Sequence, residues 1–213
     1  GMAEHGWPLY TLADAVALRA HLLGDLDAVE DSAPPPDPTV TTVVVGGGPT
    51  GVETAGALAS MAHEVVGPIA TLRVILVEAG PRLLNAFSPR SSKRALEDLL
   101  RRGVDVRLGR NVEAADPGGV TLDGGERIDT PTVIWAAGVQ ANGLGQRLGL
   151  PLERGRVVVD PDLSVPGTPN VFVAGDLAAA AAPRHDARLP MLAPAAIQTG
   201  LHAGEQVARL IAG

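Results

Sequence analysis

The spacing of apolar positions changes period several times along the chain, and each change marks an element. From Thr11 to Leu23 apolar residues recur at helical spacing, with Leu12, Ala15, Val16, Leu22 and Leu23 along one side. Thr11 and Asp14 form a short-armed capping box at its start, and Gly24 is expected to close it. The stretch Asp31-Ser32-Ala33-Pro34-Pro35-Pro36-Asp37-Pro38 cannot continue a helix and favours extended geometry, so it is the clearest boundary in the chain. Beyond it, Val40–Val45 is a β-branched run ending at glycines, Gly51–Ala62 reads as a helix, and Leu72–Val77 is a second apolar strand. A further helix has Ser88 as N-cap, Pro89 in its first position, Leu96, Leu99 and Leu100 on its apolar face and Gly103 at its end.

Short alternating pieces follow at Val104–Leu108, Val112–Ala114 and Val120–Leu122, separated by Pro- and Gly-rich turns, and predict a small antiparallel meander. Val133-Ile134-Trp135 then returns to the main sheet. After Gly138 the path becomes rich in Pro and Gly. It carries one more strand at Val171-Phe172-Val173 and a closing helix with apolar Ile197, Leu201, Val207 and Ile211. The order is α/β throughout.

Composition narrows the chemistry. Of 213 residues, 46% are hydrophobic, enough for a sizeable core. The net charge of −7, with no basic block, argues against nucleic acid as a partner. There are no cysteines, so disulfides, thiolate metal sites and a redox-active Cys pair are excluded, and electron transfer has to run on a bound cofactor. The five histidines show no ligand spacing, and no metal site is expected. No apolar run is long enough for a membrane span and the N-terminus lacks a signal-peptide pattern, which predicts a cytoplasmic protein.

The candidate chemistry sits at Gly46-x-Gly48-x-x-Gly51. A Gly-x-Gly-x-x-Gly pattern alone is weak, but here a strand precedes it, a helix follows it, and the next strand ends on an acid, Glu78. The first glycine permits the tight turn, Gly48 lets a pyrophosphate approach the backbone, and Gly51 lets the helix pack closely on the strand. Pro49 and Thr50 open the helix, and its free N–H groups, which Pro49 itself lacks, face the phosphates. Glu78 is placed to accept hydrogen bonds from the adenosine ribose and to repel a 2′-phosphate, favouring NAD(H) over its phosphorylated form. Nearby Arg82 softens that preference if it folds back toward the ribose. Residues 39–140 are thus a Rossmann-like NAD(H)-binding domain.

The segment Thr42-Val43-Val44-Val45-Gly46-Gly47-Gly48-Pro49-Thr50-Gly51-Val52-Glu53 resembles the NADH-binding segment of type II NADH dehydrogenases, within the pyridine-nucleotide–disulfide oxidoreductase superfamily. Trp7-Pro8-Leu9-Tyr10, Val133-Ile134-Trp135-Ala136-Ala137-Gly138-Val139 and Thr168-Pro169-Asn170-Val171-Phe172-Val173-Ala174-Gly175-Asp176 occur in the family's order. In that family the NADH domain is inserted in a FAD domain. The resemblance therefore implies that residues 1–38 hold a partial FAD-domain helix and linker, and that residues 141–213 are the C-terminal part of an incomplete FAD-type α/β domain. The family's N-terminal FAD glycine turn and its C-terminal region have no counterpart in the sequence.

By the same resemblance Gly47, Ala137 and Gly138 join the NADH site, and Glu53 matches an acid near the nicotinamide, although an acid stabilising the helix dipole is an equally physical reading. Gly175 and Asp176 are the remaining half of a FAD site, with Asp176 accepting from a ribitol hydroxyl. The helix starting near Pro194 points its dipole at the flavin, and Gln198 corresponds to the second glutamine near flavin and quinone. Pro194 departs from the family by replacing the first glutamine. The implied activity is hydride transfer from NADH to FAD, with electrons passed to a quinone-like acceptor, on an enzyme that is cytoplasmic or peripheral on the inner membrane face. A ferredoxin-reductase-like flavoenzyme and a non-catalytic NAD-binding module are the alternatives.

Overall fold

The computed structural model describes residues 5–30, 39–65, 71–182 and 187–212, so the Pro-rich stretch Asp31–Pro38 lies outside the described residues. The chain divides into two compact units, residues 1–138 and 139–213.

The first unit is built on a five-stranded parallel sheet. Its strands, in chain order, are β1 (Trp7–Pro8), β2 (Thr39–Val45), β3 (Thr71–Glu78), β4 (Asp105–Leu108) and β8 (Thr132–Trp135), arranged β1-β8-β2-β3-β4. Its helices are α1 (Leu12–Glu30), α2 (Pro49–Val65) and α3 (Pro89–Arg101). Alternation along the central strands sends successive side chains to opposite faces. Val40, Val44, Leu72, Val74, Leu76 and Ile134 pack with Ala55 and Leu58 of α2 and Leu99 of α3. Val43, Val45, Ile75, Val77 and Val133 face the other way, onto Val120, Leu122 and Ile128 of a three-stranded antiparallel meander. That meander consists of β5 (Val112–Asp116), β6 (Gly119–Leu122) and β7 (Arg127–Asp129). Both faces of the sheet are therefore covered, as β-branched runs without polar alternation require.

Three elements differ from the sequence expectation. Val104–Leu108 is not part of the meander: its residues Asp105–Leu108 pair in parallel with Ile75–Glu78 as an edge of the main sheet, and Arg127–Asp129 supplies the third meander strand instead. The first helix continues through Gly24 to Glu30, because a glycine inside a helix costs only about 1 kcal/mol and Asp25 beyond it accepts a hydrogen bond from the buried Thr132 hydroxyl. The apolar side of that helix is also rotated. Leu18 and Leu22 are buried, whereas Leu12 and Val16 are exposed. The capping box holds as expected, with Thr11 N–H donating to Asp14 and Asp14 N–H donating to the Thr11 hydroxyl. The Ser88 cap on α3 holds likewise, its hydroxyl accepting from Ser91 N–H.

The second unit contains a short helix α4 (Leu144–Arg147), a hairpin of β9 (Leu152–Glu153) and β10 (Arg156–Val157), a second antiparallel pair of β11 (Ser164–Val165) and β12 (Thr168–Phe172), and the long helix α5 (Ala193–Ala212). Its core gathers Val157, Leu163, Val165, Val173, Ala178, Ala180 and Ala203. On α5 the buried residues are Thr199 and Ala203, while Ile197, Leu201 and Ile211, which the spacing marks as an apolar stripe, are exposed.

Candidate nucleotide site

The carboxyl ends of β8, β2 and β3 lie side by side, and this is the edge of a parallel sheet where ligands bind in α/β folds. The central strand β2 runs out at Val45 into the glycine turn. Gly46 keeps the turn within the sheet's hydrogen bonding, donating to the Val77 carbonyl at 2.8 Å, while Ala136 N–H donates to the Val45 carbonyl at 2.8 Å. At φ +112° Gly46 occupies backbone space that an L side chain rarely adopts, and a Cβ there meets the Ala136 carbonyl oxygen at 2.5 Å and the Ala137 Cα at 2.8 Å. Ala137 and Gly138 thus lie on the turn's flank directly after β8.

The other glycines differ in what surrounds them. A Cβ on Gly51 collides with the Gly46 carbonyl, so that glycine brings the start of α2 against the end of β2. A Cβ on Gly47 meets Leu83 at 2.7 Å and Glu78 at 2.9 Å. A Cβ on Gly48 meets nothing within 4 Å, which makes this the open side of the turn. Pro49 opens α2, and Val52 N–H donates to the Gly48 carbonyl at 3.0 Å. Thr50 and Gly51 fall in the first turn, whose amides a helix leaves without an internal acceptor and directs outward along its axis.

Glu78, the last residue of β3, closes the other flank. One carboxylate oxygen accepts from Gly47 N–H at 2.5 Å and the other from Gly80 N–H at 2.6 Å. Each oxygen has a further lone pair, so the half-buried carboxylate caps the turn and retains acceptor capacity toward a ligand. Arg82 does not fold back on this carboxylate. Its guanidinium donates to the carbonyls of Asn85 and Phe87. Glu53 lies beyond the first turn of α2, which contains no acid, and is exposed, so the dipole reading of that residue loses its geometric basis.

In the second unit Gly175 and Asp176 begin a single 3-10 turn, and Asp176 is exposed with no hydrogen-bond partner among the described residues. Gly175, at φ +66°, donates its N–H to the buried Thr199 hydroxyl at 2.9 Å, and that hydroxyl in turn donates to the Ala195 carbonyl. Thr199 therefore ties the Gly175 turn to α5. Its polarity at a buried helix position is the only trace it leaves in the sequence, and that trace does not say which amide it serves. Arg156 lies near Asp176, and burial pushes its guanidinium below the usual arginine range. It donates to the Leu189 carbonyl at 2.8 Å. Pro194 is the second residue of α5, and Gln198 sits one turn further on, exposed.

Two type II NADH:quinone oxidoreductases of Mycobacterium tuberculosis are similar to the chain. One is 40% identical over 185 residues, covering 78% of this chain and 39% of the relative. The other is 36% identical over an alignment of 228 positions, covering 99% of this chain and 48% of the relative. The chain thus spans less than half the length of either. The solved structure of NDH2 from Plasmodium falciparum in complex with NADH shares the fold, with a TM-score of 0.73 at 22% identity over 84% of this chain and 41% of that one. A family model described as pyridine nucleotide-disulphide oxidoreductase matches residues 1–200, and the chain belongs to that family.

Proposed function

We propose that this chain is the NADH-binding portion, with part of the FAD site, of a flavin-dependent enzyme that oxidises NADH and delivers electrons to a quinone-like acceptor. The observation that carries the reading is the glycine turn at the edge of three parallel strands, open at Gly48 and capped by Glu78. The pyrophosphate lies against Gly46–Gly51, where the first-turn amides of α2 meet its charge. The adenosine ribose lies on Glu78, and the nicotinamide end lies toward Ala137, Gly138 and Glu53.

FAD, when bound, supplies the hydride acceptor. Residues 141–213 fit such a group: the exposed Asp176 carboxylate is available to accept from a ribitol hydroxyl, Thr199 fixes the backbone before it, and Pro194 and Gln198 lie in the first half of α5. Residues 1–38 and 141–213 accordingly belong to a FAD-type domain that is split around residues 39–140 in the whole enzyme. No acid or base is needed on the protein for the hydride step, since orientation of the two rings supplies most of the catalysis. Among the described residues no helix is long and apolar enough to cross a membrane, and we place the enzyme in the cytoplasm or at the inner membrane face as a peripheral protein.

A steady-state assay of the enzyme that contains this chain tests the reading. NADH oxidation that depends on an added water-soluble quinone is expected. Reduction of ferredoxin without reduction of quinone overturns the assigned acceptor.

A further inference from the structure

The loop from Gly80 to Phe87, after β3, folds over the outside of the glycine turn. Leu83 is 1% exposed and packs in the sheet's helical-face core. Leu84 has φ +51°, a left-handed backbone unfavourable for a side chain of its size. In that conformation its N–H donates to the Gly47 carbonyl at 2.8 Å. Gly47 is therefore held from both ends, its N–H by Glu78 and its carbonyl by Leu84. What keeps Leu84 in place is the remainder of the loop. Phe87 N–H donates back to the Leu84 carbonyl at 2.8 Å, and Arg82 spans the loop with one guanidinium nitrogen on the Phe87 carbonyl at 3.0 Å and the other on the Asn85 carbonyl at 2.7 Å.

We propose that Arg82 is a positioning residue for the nucleotide turn, bridging the Gly80–Phe87 loop so that the Leu84 amide fixes the Gly47 peptide, and that it is not a ligand for a ribose 2′-phosphate. The inference rests on the nucleotide reading above and deepens it. A cation four residues beyond the strand-end acid is an expected reader of a 2′-phosphate, but here both arms of the fork are directed at backbone carbonyls of its own loop. The fork matters more than the charge. A lysine in the same place keeps the charge but cannot bridge two carbonyls in one plane.

The test is a titration of the chain with NADH and with NADPH, using wild type, Arg82→Lys and Arg82→Ala, together with amide hydrogen exchange at Leu84 in the ligand-free proteins. Losing one bridged pair of hydrogen bonds predicts that both substitutions raise the dissociation constants of both nucleotides by the same factor, about three- to tenfold. The Leu84 amide exchanges faster in both variants while the melting temperature stays close to wild type. NADPH affinity that falls for Arg82→Ala but survives in Arg82→Lys, with NADH unaffected, assigns the guanidinium to the phosphate and overturns the proposal. So does an unchanged affinity for both nucleotides in both variants. A wild-type chain that binds neither nucleotide overturns the nucleotide reading itself.

Discussion

Glu78 caps the glycine turn, and the proposed nucleotide site gives it a second task as acceptor for the ribose. An acid at the end of the second strand of a β-α-β unit is legible as a ribose ligand because its position follows from the strand's length and the glycine pattern before it. Its hydrogen bonds to Gly47 and Gly80 are not legible, since they depend on how the turn and the following loop fold back on the same carboxylate. Glu78→Ala removes the proposed acceptor for the ribose and the cap on the turn together. NADH affinity is expected to fall by about 1–3 kcal/mol, and the preference over NADPH to narrow; titration of the variant with both nucleotides reads this out. Thr199 is the opposite case, a residue whose role is visible only in the structure. Replacing its hydroxyl with a methyl, Thr199→Val, leaves the Gly175 amide without its acceptor and is expected to lower stability by about 1–2 kcal/mol in urea unfolding. An unchanged midpoint excludes that role.

At the scale of elements, the β-α-β unit is legible because its signals agree: two β-branched runs, a glycine turn between strand and helix, and an acid at the end of the second strand. The ambiguous piece was Val104–Leu108. Its alternating pattern suits an exposed edge of a parallel sheet as well as a hairpin, and periodicity does not specify a partner. Arg127–Asp129 carries little strand signal in the sequence, because only Ile128 of its three residues is buried. The closing helix shows the converse: it forms where apolar Ile197, Leu201, Val207 and Ile211 place it, yet these residues are exposed and α5 buries Thr199 and Ala203.

What binds the meander and β4 at their polar edges is a set of ion pairs. The Arg127 guanidinium holds the Asp116 carboxyl down at about 2, and Arg107 lowers Asp105 and Glu126 while Arg110 lowers Asp123. A carboxylate whose folded value is depressed stabilises the fold above its unfolded value and loses that contribution as pH falls through the folded one. The melting temperature is therefore expected to drop as pH is lowered from about 4.5 to about 2. Arg127→Ala should flatten part of that drop, as thermal melts of both proteins across the range will read directly. An equal drop in both assigns it to other carboxylates.

For the whole molecule, the residues of the proposed function fall in two compact units, the glycine turn, Glu78, Ala137 and Gly138 in the first and Gly175, Asp176 and Gln198 in the second. The family match and the parallel-sheet geometry account for the first unit from its own residues. The second unit takes much of its meaning from relatives more than twice the length of this chain. A calorimetric titration of the chain with NADH, repeated on Gly48→Leu, decides whether the glycine turn holds the nucleotide. Because a side chain at Gly48 enters open space, that variant is expected to melt like wild type while blocking the pyrophosphate. Saturable binding of one NADH per chain, weaker binding of NADPH and loss of NADH binding in Gly48→Leu are the predicted results. Absence of NADH binding by the wild-type chain, or undiminished binding by a folded Gly48→Leu, contradicts the account.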